Sequence, residues 1–600
     1  MSMAARCRSL RGLMTRRLAA LTLALSVVFA AGTDVASQQA AATEWLVSRA
    51  DVGRPGGQLV VIERAEPRTL NPVVAVDAPS KEILARTTAD LIHVDRETQQ
   101  PQPALARSWT VSPDGRRFTL SLRHGVRFSD GQPFDADDVV FSFTVYLDEK
   151  VGSPQRDLLI VGDKPITVRK IDQYTVQVDL AEPYAIGERL FDSVAMLPRH
   201  LLETPYTEGR LARMWAVGTA ADAFAGLGPF RLREYVPGQR LTLERNPFYW
   251  KTDRAGTHLP YLDRLVFVFV PSEDAQALRF QAGDADVTTR LSAANFEVLM
   301  RDRGRRNYDL LDAGPGLDYT FLFFNQNTVA SNDAPQVARR RGWFRQLAFR
   351  QAVSLAIDRD AIVRLVYRGR ATPLWGHVPP GNKLWVNRSL PRPSRSPDRA
   401  RERLRSAGFS WNAAGALVDK DGQVVDFTIV TNTGNTERIQ IATIVQDDLK
   451  QVGIRVGVVT LELRTLLQRL LTTHDYDACV LALGASDGDP STEMNVWLSS
   501  GGTHLWNPEQ ASPATPWEAE IDTLMRRQLT ERDVQARKRL YDRVQELVAE
   551  NLPVISLVSP SVLAGTTKGL GNLRPTIFDH HALWNVDELF WRGRPAGGTR

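Results

Sequence analysis

The sequence predicts a mixed α/β protein of several domains, and three observations carry that prediction. Strand-rich stretches dominate before about residue 310, a strand–helix–strand unit fills 424–461, and two amphipathic helices precede a last strand that starts at Pro553. Six hundred residues, 43% apolar and 24% charged, suffice for two to four domains with sizeable cores.

Residues 1–42 read as a signal peptide and leader tail. Arg6, Arg8, Arg11, Arg16 and Arg17 precede the 14-residue apolar run Leu18–Ala31, a basic head on an apolar centre that marks an export signal. A bilayer span takes roughly 20 residues, so this run is too short to stay as an anchor. Thr15-Arg16-Arg17 resembles a twin-arginine signal but lacks the apolar pair and Lys that usually follow, which favours the ordinary secretory route. No cysteine follows the run to accept a lipid, and Cys479 is alone once Cys7 is cleaved away, so no intramolecular disulfide forms. The expectation is a freely diffusing periplasmic monomer.

Order begins at 57–63, where "GQLVVIE" has strand composition. In 105–134, Phe118, Leu120 and Leu122 alternate between Ser-Pro-Asp-Gly and Ser-Asp-Gly turns, a β-meander. Asp135 then offers an N-cap to "ADDVVFSFTVYLDEK". Residues 228–250 read as a hairpin and "RLVFVFVP" as a strand buried on both faces. After 341, Leu347, Val353, Ile357, Ile362 and Val366 keep helical spacing across a turn at Asp358. In 424–461 a strand, a helix with Ile441, Ile444, Val445, Leu449 and Val452 on one face, and a second strand make a βαβ crossover whose strands are parallel neighbours.

Charge excludes one class of function. The net charge is +5, but the first 37 residues hold five arginines against one aspartate, so the remainder carries about +1. Without a basic stripe, a nucleic-acid partner is not expected.

The sharpest motif is Gly484-x-Ser486-x-Gly488, the spacing of a hydrolase nucleophile elbow, directly after the apolar run "CVLAL". An elbow needs a helix immediately behind its serine. Here Pro490 turns Asp489 away from helical geometry. A secreted serine hydrolase using Ser486 with Asp522 and His580 is the rival reading. No H-E-x-x-H or C-x-x-C pairing exists, "DHH" at 579–581 supplies too few ligands for a closed site, and no metal or cofactor is expected. Trp375, Trp385, Trp497 and Trp506 fall in polar loops, which suits the wall of a ligand cleft, whereas Trp109, Trp250 and Trp584 read as core.

"EPRTLNP" (66–72), the stretch 105–143, "GLGPFRL" with "ERNPFYW" (226–250), "FRQAVSLAIDRDAIV" (349–363), "ARERLRSAGF" (400–409), "IVQDDLKQVGIRV" (444–456) and "DGDPSTEMNVWLSS" (487–500) occur in that order. Together they resemble the family 5 extracellular solute-binding proteins, the dipeptide, oligopeptide and nickel receptors of ABC importers.

The resemblance implies a two-lobed periplasmic-binding-protein fold of the large peptide-binding type with an extra domain. Lobe I would hold 58–77, 220–310 and 562–600, a β-rich extra domain 78–219, and lobe II 311–561. The lobes would close on a peptide or similar solute about a hinge of crossing strands, without catalysis, and deliver it to an ABC permease in the inner membrane. Ligand contacts would come from Val76, Asp77 and Ala78, from Asn325 and Asn327, and from Gly484, Ser486 and Asp487, with Trp375 and Trp497 as stacking walls. In the family, peptide-binding members place an aspartate four residues before the turn's proline to hold the ligand's amine. Ser486 stands at that position here. An uncharged hydroxyl gives roughly half the hydrogen-bond strength of a carboxylate, so either Asp487 serves the amine or the solute lacks one.

Overall fold

The computed structural model describes residues 44–192, 194–327, 334–484, 488–508 and 510–593; the leader and Ser486 with Asp487 lie outside them. One long sheet organises the chain. Among the described residues its strands run in the order Phe230–Val236, Arg240–Arg245, Arg264–Phe269, Gln58–Glu63, Val287–Thr288, Val554–Thr567, Tyr319–Phe324, Ala478–Leu483, Asp426–Asn432 and Arg455–Leu461. Tyr308–Pro315 and Ala371–Pro373 also pair with Val554–Thr567. A separate antiparallel sheet joins Ala106–Val111, Arg117–Leu122, Thr175–Asp179 and Thr167–Asp172.

The local predictions hold where turn chemistry or period was explicit. Phe118, Leu120 and Leu122 are buried on one face of the small sheet, and Asp135 caps the helix Ala136–Leu147 in a full capping box with Asp138. Asp426–Asn432 and Arg455–Leu461 are parallel neighbours joined by the helix Thr436–Lys450, which buries Ile441, Val445 and Leu449. One expectation needs correction. Leu265, Phe267 and Phe269 are buried, but Val266 and Val268 are only half-buried, because the thin helix layer of Glu273–Ala282 covers that face through Ala277 and Phe280.

Side-chain alternation in Tyr319–Phe324 divides the second half of the chain into two cores. Tyr319, Phe321 and Phe323 enter one with Cys479, Trp497 and Tyr541, while Leu322 and Phe324 enter the other with Ile429, Ile441 and Val445. In the first half, Leu59 and Val61 of the long sheet share a single core with Phe118 and Leu120 of the small one.

The 14-residue strand Val554–Thr567 links the halves. Its first residues pair with Tyr319–Phe324, its last with Tyr308–Pro315. Beside it the chain makes a second crossing between Pro315 and Tyr319, where the Gly316 amide donates to Pro560 O at 2.9 Å and Ser559 Oγ donates to Gly316 O at 3.1 Å. Away from these crossings the halves touch through side chains: Arg368 pairs with Glu297 at 2.6 Å, and Arg370 lies over the Phe296 ring, 4.2 Å from its centroid. One backbone bond also joins them, from the Ala185 amide to Leu529 O at 2.7 Å.

Candidate functional site

The turn that carries G-x-S-x-G leaves the buried strand Ala478–Leu483. A Cβ on Gly484 would lie 2.1 Å from Asp318 Oδ1, the movable end of an exposed side chain. Gly488 adopts φ +74, a left-handed conformation that glycine takes without penalty. Its carbonyl accepts from Asn382 Nδ2 at 2.7 Å, and the Phe578 ring would lie 3.4 Å from a Cβ there. Phe578 follows Val554–Thr567 in the first lobe, so the turn lies where the two halves face one another.

Asp489 is extended at φ −80, ψ 138 and caps the short 3-10 turn Pro490–Glu493. Behind it stands a buried ion pair. Arg537 Nη1 and Nη2 donate to Asp489 Oδ2 and Oδ1 at 2.8 and 2.6 Å, and Arg537 Nε donates to Gln528 Oε1 at 2.8 Å. The Arg537 guanidinium also lies 4.9 Å from the Trp385 ring centroid. Against the desolvation that would raise it, Arg537 holds the Asp489 carboxyl below its ordinary range. Four residues on, Glu493 accepts from Trp497 Nε1 at 2.7 Å and from Tyr541 Oη at 2.9 Å. The turn is thus bolted to the helices Pro516–Thr530 and Val534–Asn551. Sequence reasoning missed Arg537 because the bridge spans 48 residues with no local pattern.

On the opposing side, Asp77 caps the helix Ala78–Thr87, accepting from Ser80 N at 3.0 Å and Ser80 Oγ at 2.9 Å. Val76 is 64% exposed, and Ala78 is exposed as well. One turn along, Glu82 accepts from Arg86 Nη2 at 2.6 Å and from His580 Nδ1 at 2.5 Å. Burial would raise the Glu82 carboxyl, but Arg86 and His580 hold it down to about 2. At the end of the strand Gln58–Glu63, burial and then the Glu82 charge push the Glu63 carboxyl up to about 8. Both features escaped sequence reading, since "DHH" gave no sign of its partner on a distant helix.

Several expected contacts move into the core. Trp497 is 1% exposed, its ring 4.0 Å from that of His377, so it packs inside rather than forming a stacking wall. Trp385 and Trp506 are also buried, their rings 6.1 Å from Tyr541 and 5.9 Å from Trp497. Asn325 is 1% exposed and its Nδ2 donates to His474 O and Tyr476 O, both at 2.9 Å. It ties the end of a strand and accepts the Asn327 backbone N–H at 3.1 Å, whereas the side-chain amide of Asn327, 7% exposed, has no hydrogen-bond partner among the described residues. Polar residues at buried strand ends satisfy backbone groups first. Trp375 is half-exposed, with its indole N–H on Pro393 O and Arg359 over its ring.

The residues a hydrolase would need are engaged elsewhere. His504 is buried between Val496 O and Glu518, Asp522 accepts from Ser499, and His580 is held by Glu82. The backbone after Gly488 is extended where an elbow needs a helix.

Comparison with known proteins agrees with this geometry. Residues 100–504 match the family model for bacterial extracellular solute-binding proteins, family 5 Middle. A probable ABC transporter-binding protein of Deinococcus radiodurans is 28% identical over 561 residues, which cover 90% of this chain and 93% of that protein. The oligopeptide-binding protein AppA of Bacillus subtilis, solved with a nonapeptide, superimposes with a TM-score of 0.68 at 24% identity, covering 90% of this chain and all of that one. The binding protein MelB of Agrobacterium fabrum, solved with stachyose, gives 0.70 at 22% identity over 91% of this chain and 86% of that one.

Proposed function

The chain belongs to the family 5 bacterial extracellular solute-binding proteins, receptors rather than enzymes, and from that premise we propose that it captures a short peptide between its lobes and presents it to an inner-membrane ABC permease. It is exported, loses residues 1–42 and acts as a periplasmic monomer. No described helix is long and apolar enough to cross a membrane.

The observation that carries this reading is the meeting of Gly488 with Phe578 from the other half, beside two crossing strands. A solute that touches both walls when the lobes close, and one wall when they part, gains affinity only on closure; that difference drives the motion. Around that gap Val76, Asp77 and Ala78 contribute from one side and Gly484 from the other, with Trp375 at the second lobe's margin. Peptide as the solute rests on relatives such as AppA, solved with a nonapeptide. Ser486 in place of a carboxylate favours a second reading, an uncharged saccharide, which MelB with stachyose exemplifies.

A thermal-shift panel of di- to nonapeptides and galactosides tests both. Binding to the native state alone adds RT ln(1 + [L]/Kd), about 2.7 kcal/mol at a hundredfold excess over Kd. Stabilisation by peptides supports the proposal, stabilisation by saccharides alone replaces peptide with sugar, and an unmoved melting curve across the panel refutes it.

A further inference from the structure

We propose that the cleft at one end of the small antiparallel sheet binds a phosphate group. It lies on none of the elements that flank the solute gap, which makes it a second site, independent of the captured solute.

Strand register builds it. Arg117 and Thr167 both stand opposite Asp179, one on each neighbouring strand, and directly paired residues share a face. Arg169, two positions beyond Thr167, lies on that face as well. Phe118, Leu120, Val176 and Val178 are buried on the other face, so the polar row is turned outward. A shallow cleft of about 510 Å³ opens there, and Asp114, Arg116, Arg117, Thr167, Arg169 and Asp179 line it.

One carboxylate holds two guanidiniums. Arg117 Nε donates to Asp179 Oδ1 at 2.6 Å, and Arg169 Nη2 donates to Asp179 Oδ2. Gln177 Nε2 steadies the same carboxylate at 2.8 Å. A guanidinium has five N–H donors, and these two spend one apiece. The remainder have no hydrogen-bond partner among the described residues, nor do the Arg116 guanidinium and the Thr167 hydroxyl. Side-chain exposures of 55% and 57% leave the free edges of Arg117 and Arg169 open to solvent.

Charge and shape select the ligand. Three arginines stand against two aspartates in the cleft wall, and Asp114 already accepts from Ser112 Oγ and the Arg116 amide. Arg532 adds a further guanidinium on the turn that carries Asp114, its Nη1 donating to Pro113 O at 3.4 Å. This excess repels a divalent metal. Each planar fork matches two oxygens of an oxyanion. Two forks fixed on one aspartate therefore suit a tetrahedral group with several acceptor oxygens better than a carboxylate with two.

Inorganic phosphate, glycerol phosphate and acetate are titrated calorimetrically into the full chain at fixed ionic strength. Vesicles of phosphatidylcholine, with and without phosphatidylglycerol, are sedimented with it. Phosphate should bind about tenfold more tightly than acetate, because its extra oxygens engage the second fork. Arg117→Gln and Arg169→Gln, both at exposed positions, should each weaken it about fivefold or more. Arg169→Lys keeps the charge, loses the fork, and should weaken it too. Arg64→Gln, an exposed arginine paired with Glu273 outside the cleft, should leave it unchanged. Binding of the free phosphates assigns a soluble ligand; sedimentation only with phosphatidylglycerol, lost in the Arg117 and Arg169 variants, assigns a lipid head group. Acetate binding as tightly as phosphate, a loss equal in Arg64→Gln, or no bound probe of either kind overturns the site and leaves the receptor reading standing.

Discussion

Replacing Arg537 by methionine keeps most of the side-chain volume and removes the charge that pairs Asp489. Both groups are buried, at 5% and 3% side-chain exposure, and joined by two hydrogen bonds of 2.6 and 2.8 Å. Breaking such a pair from one side strands a carboxylate in the core and costs about 3–5 kcal/mol. Arg189 also acts electrostatically on Asp489, so the lower end applies. At roughly 2–4 °C per kcal/mol for a unit of this size, the melting temperature falls by about 6–12 °C. The double variant Arg537→Met with Asp489→Asn removes the stranded charge, and it should regain more than half of the loss. Differential scanning fluorimetry and urea unfolding of wild type, both singles and the double measure this cycle. The turn moves with its bolt, so ligand affinity falls in the single variant too. A single variant within 1 kcal/mol of wild type, or a double as unstable as the single, would refute the reasoning.

Gly484→Ala puts a methyl 2.1 Å from Asp318 Oδ1; since that carboxylate is the free end of an exposed side chain, stability should change by less than about 0.5 kcal/mol, while ligand affinity measured by calorimetry falls several-fold as Asp318 is displaced from the turn. His93, 3.5 Å from Asp192 and 4.0 Å from Asp90, is raised to about 9: burial opposes its charge, and attraction to the two carboxylates, Asp192 foremost, prevails. Its folded value exceeds the unfolded one near 6.5, so its contribution is complete below about pH 6.5 and lost as pH rises through 9. With the ring 40% exposed, that contribution is screened to about 0.5–1 kcal/mol, and melting curves from pH 6.5 to 10 should fall more steeply for wild type than for His93→Asn. Cys479 is fully buried, and burial pushes its thiol well above the ordinary range; a disulfide-exchange dye should leave it unlabelled in the native protein and label it in urea.

What was legible in the sequence follows from the range of the interactions. The helix cap at Asp135, the turn at Asp358 and the crossover at 426–461 depend on residues within a few positions of one another, and each is found where it was read. The order of seven segments disclosed the family. Burial of particular side chains was not legible. Trp497 and Asn325 sit in loop-like sequence, yet Trp497 lies in a core with Ile521, Met525 and Tyr541 of the helices Pro516–Thr530 and Val534–Asn551, and Asn325 is buried against the carbonyls of His474 and Tyr476. Partners far apart in sequence were invisible for the same reason: nothing near residue 580 announces Glu82, and nothing near 489 announces Arg537.

The strand Val554–Thr567 has a consequence for how the chain matures. Gln58–Glu63 is among the first strands to leave the ribosome, but the sheet built on it through Val287–Thr288 gains its next neighbour only when residues 565–566 arrive. Until then the amino-terminal lobe presents an unzipped border, a template for wrong pairing with other nascent chains. Neither lobe can finish its sheet until this late strand has been made. Deleting residues 563–567 should accordingly produce aggregated product rather than one healthy lobe and one damaged one.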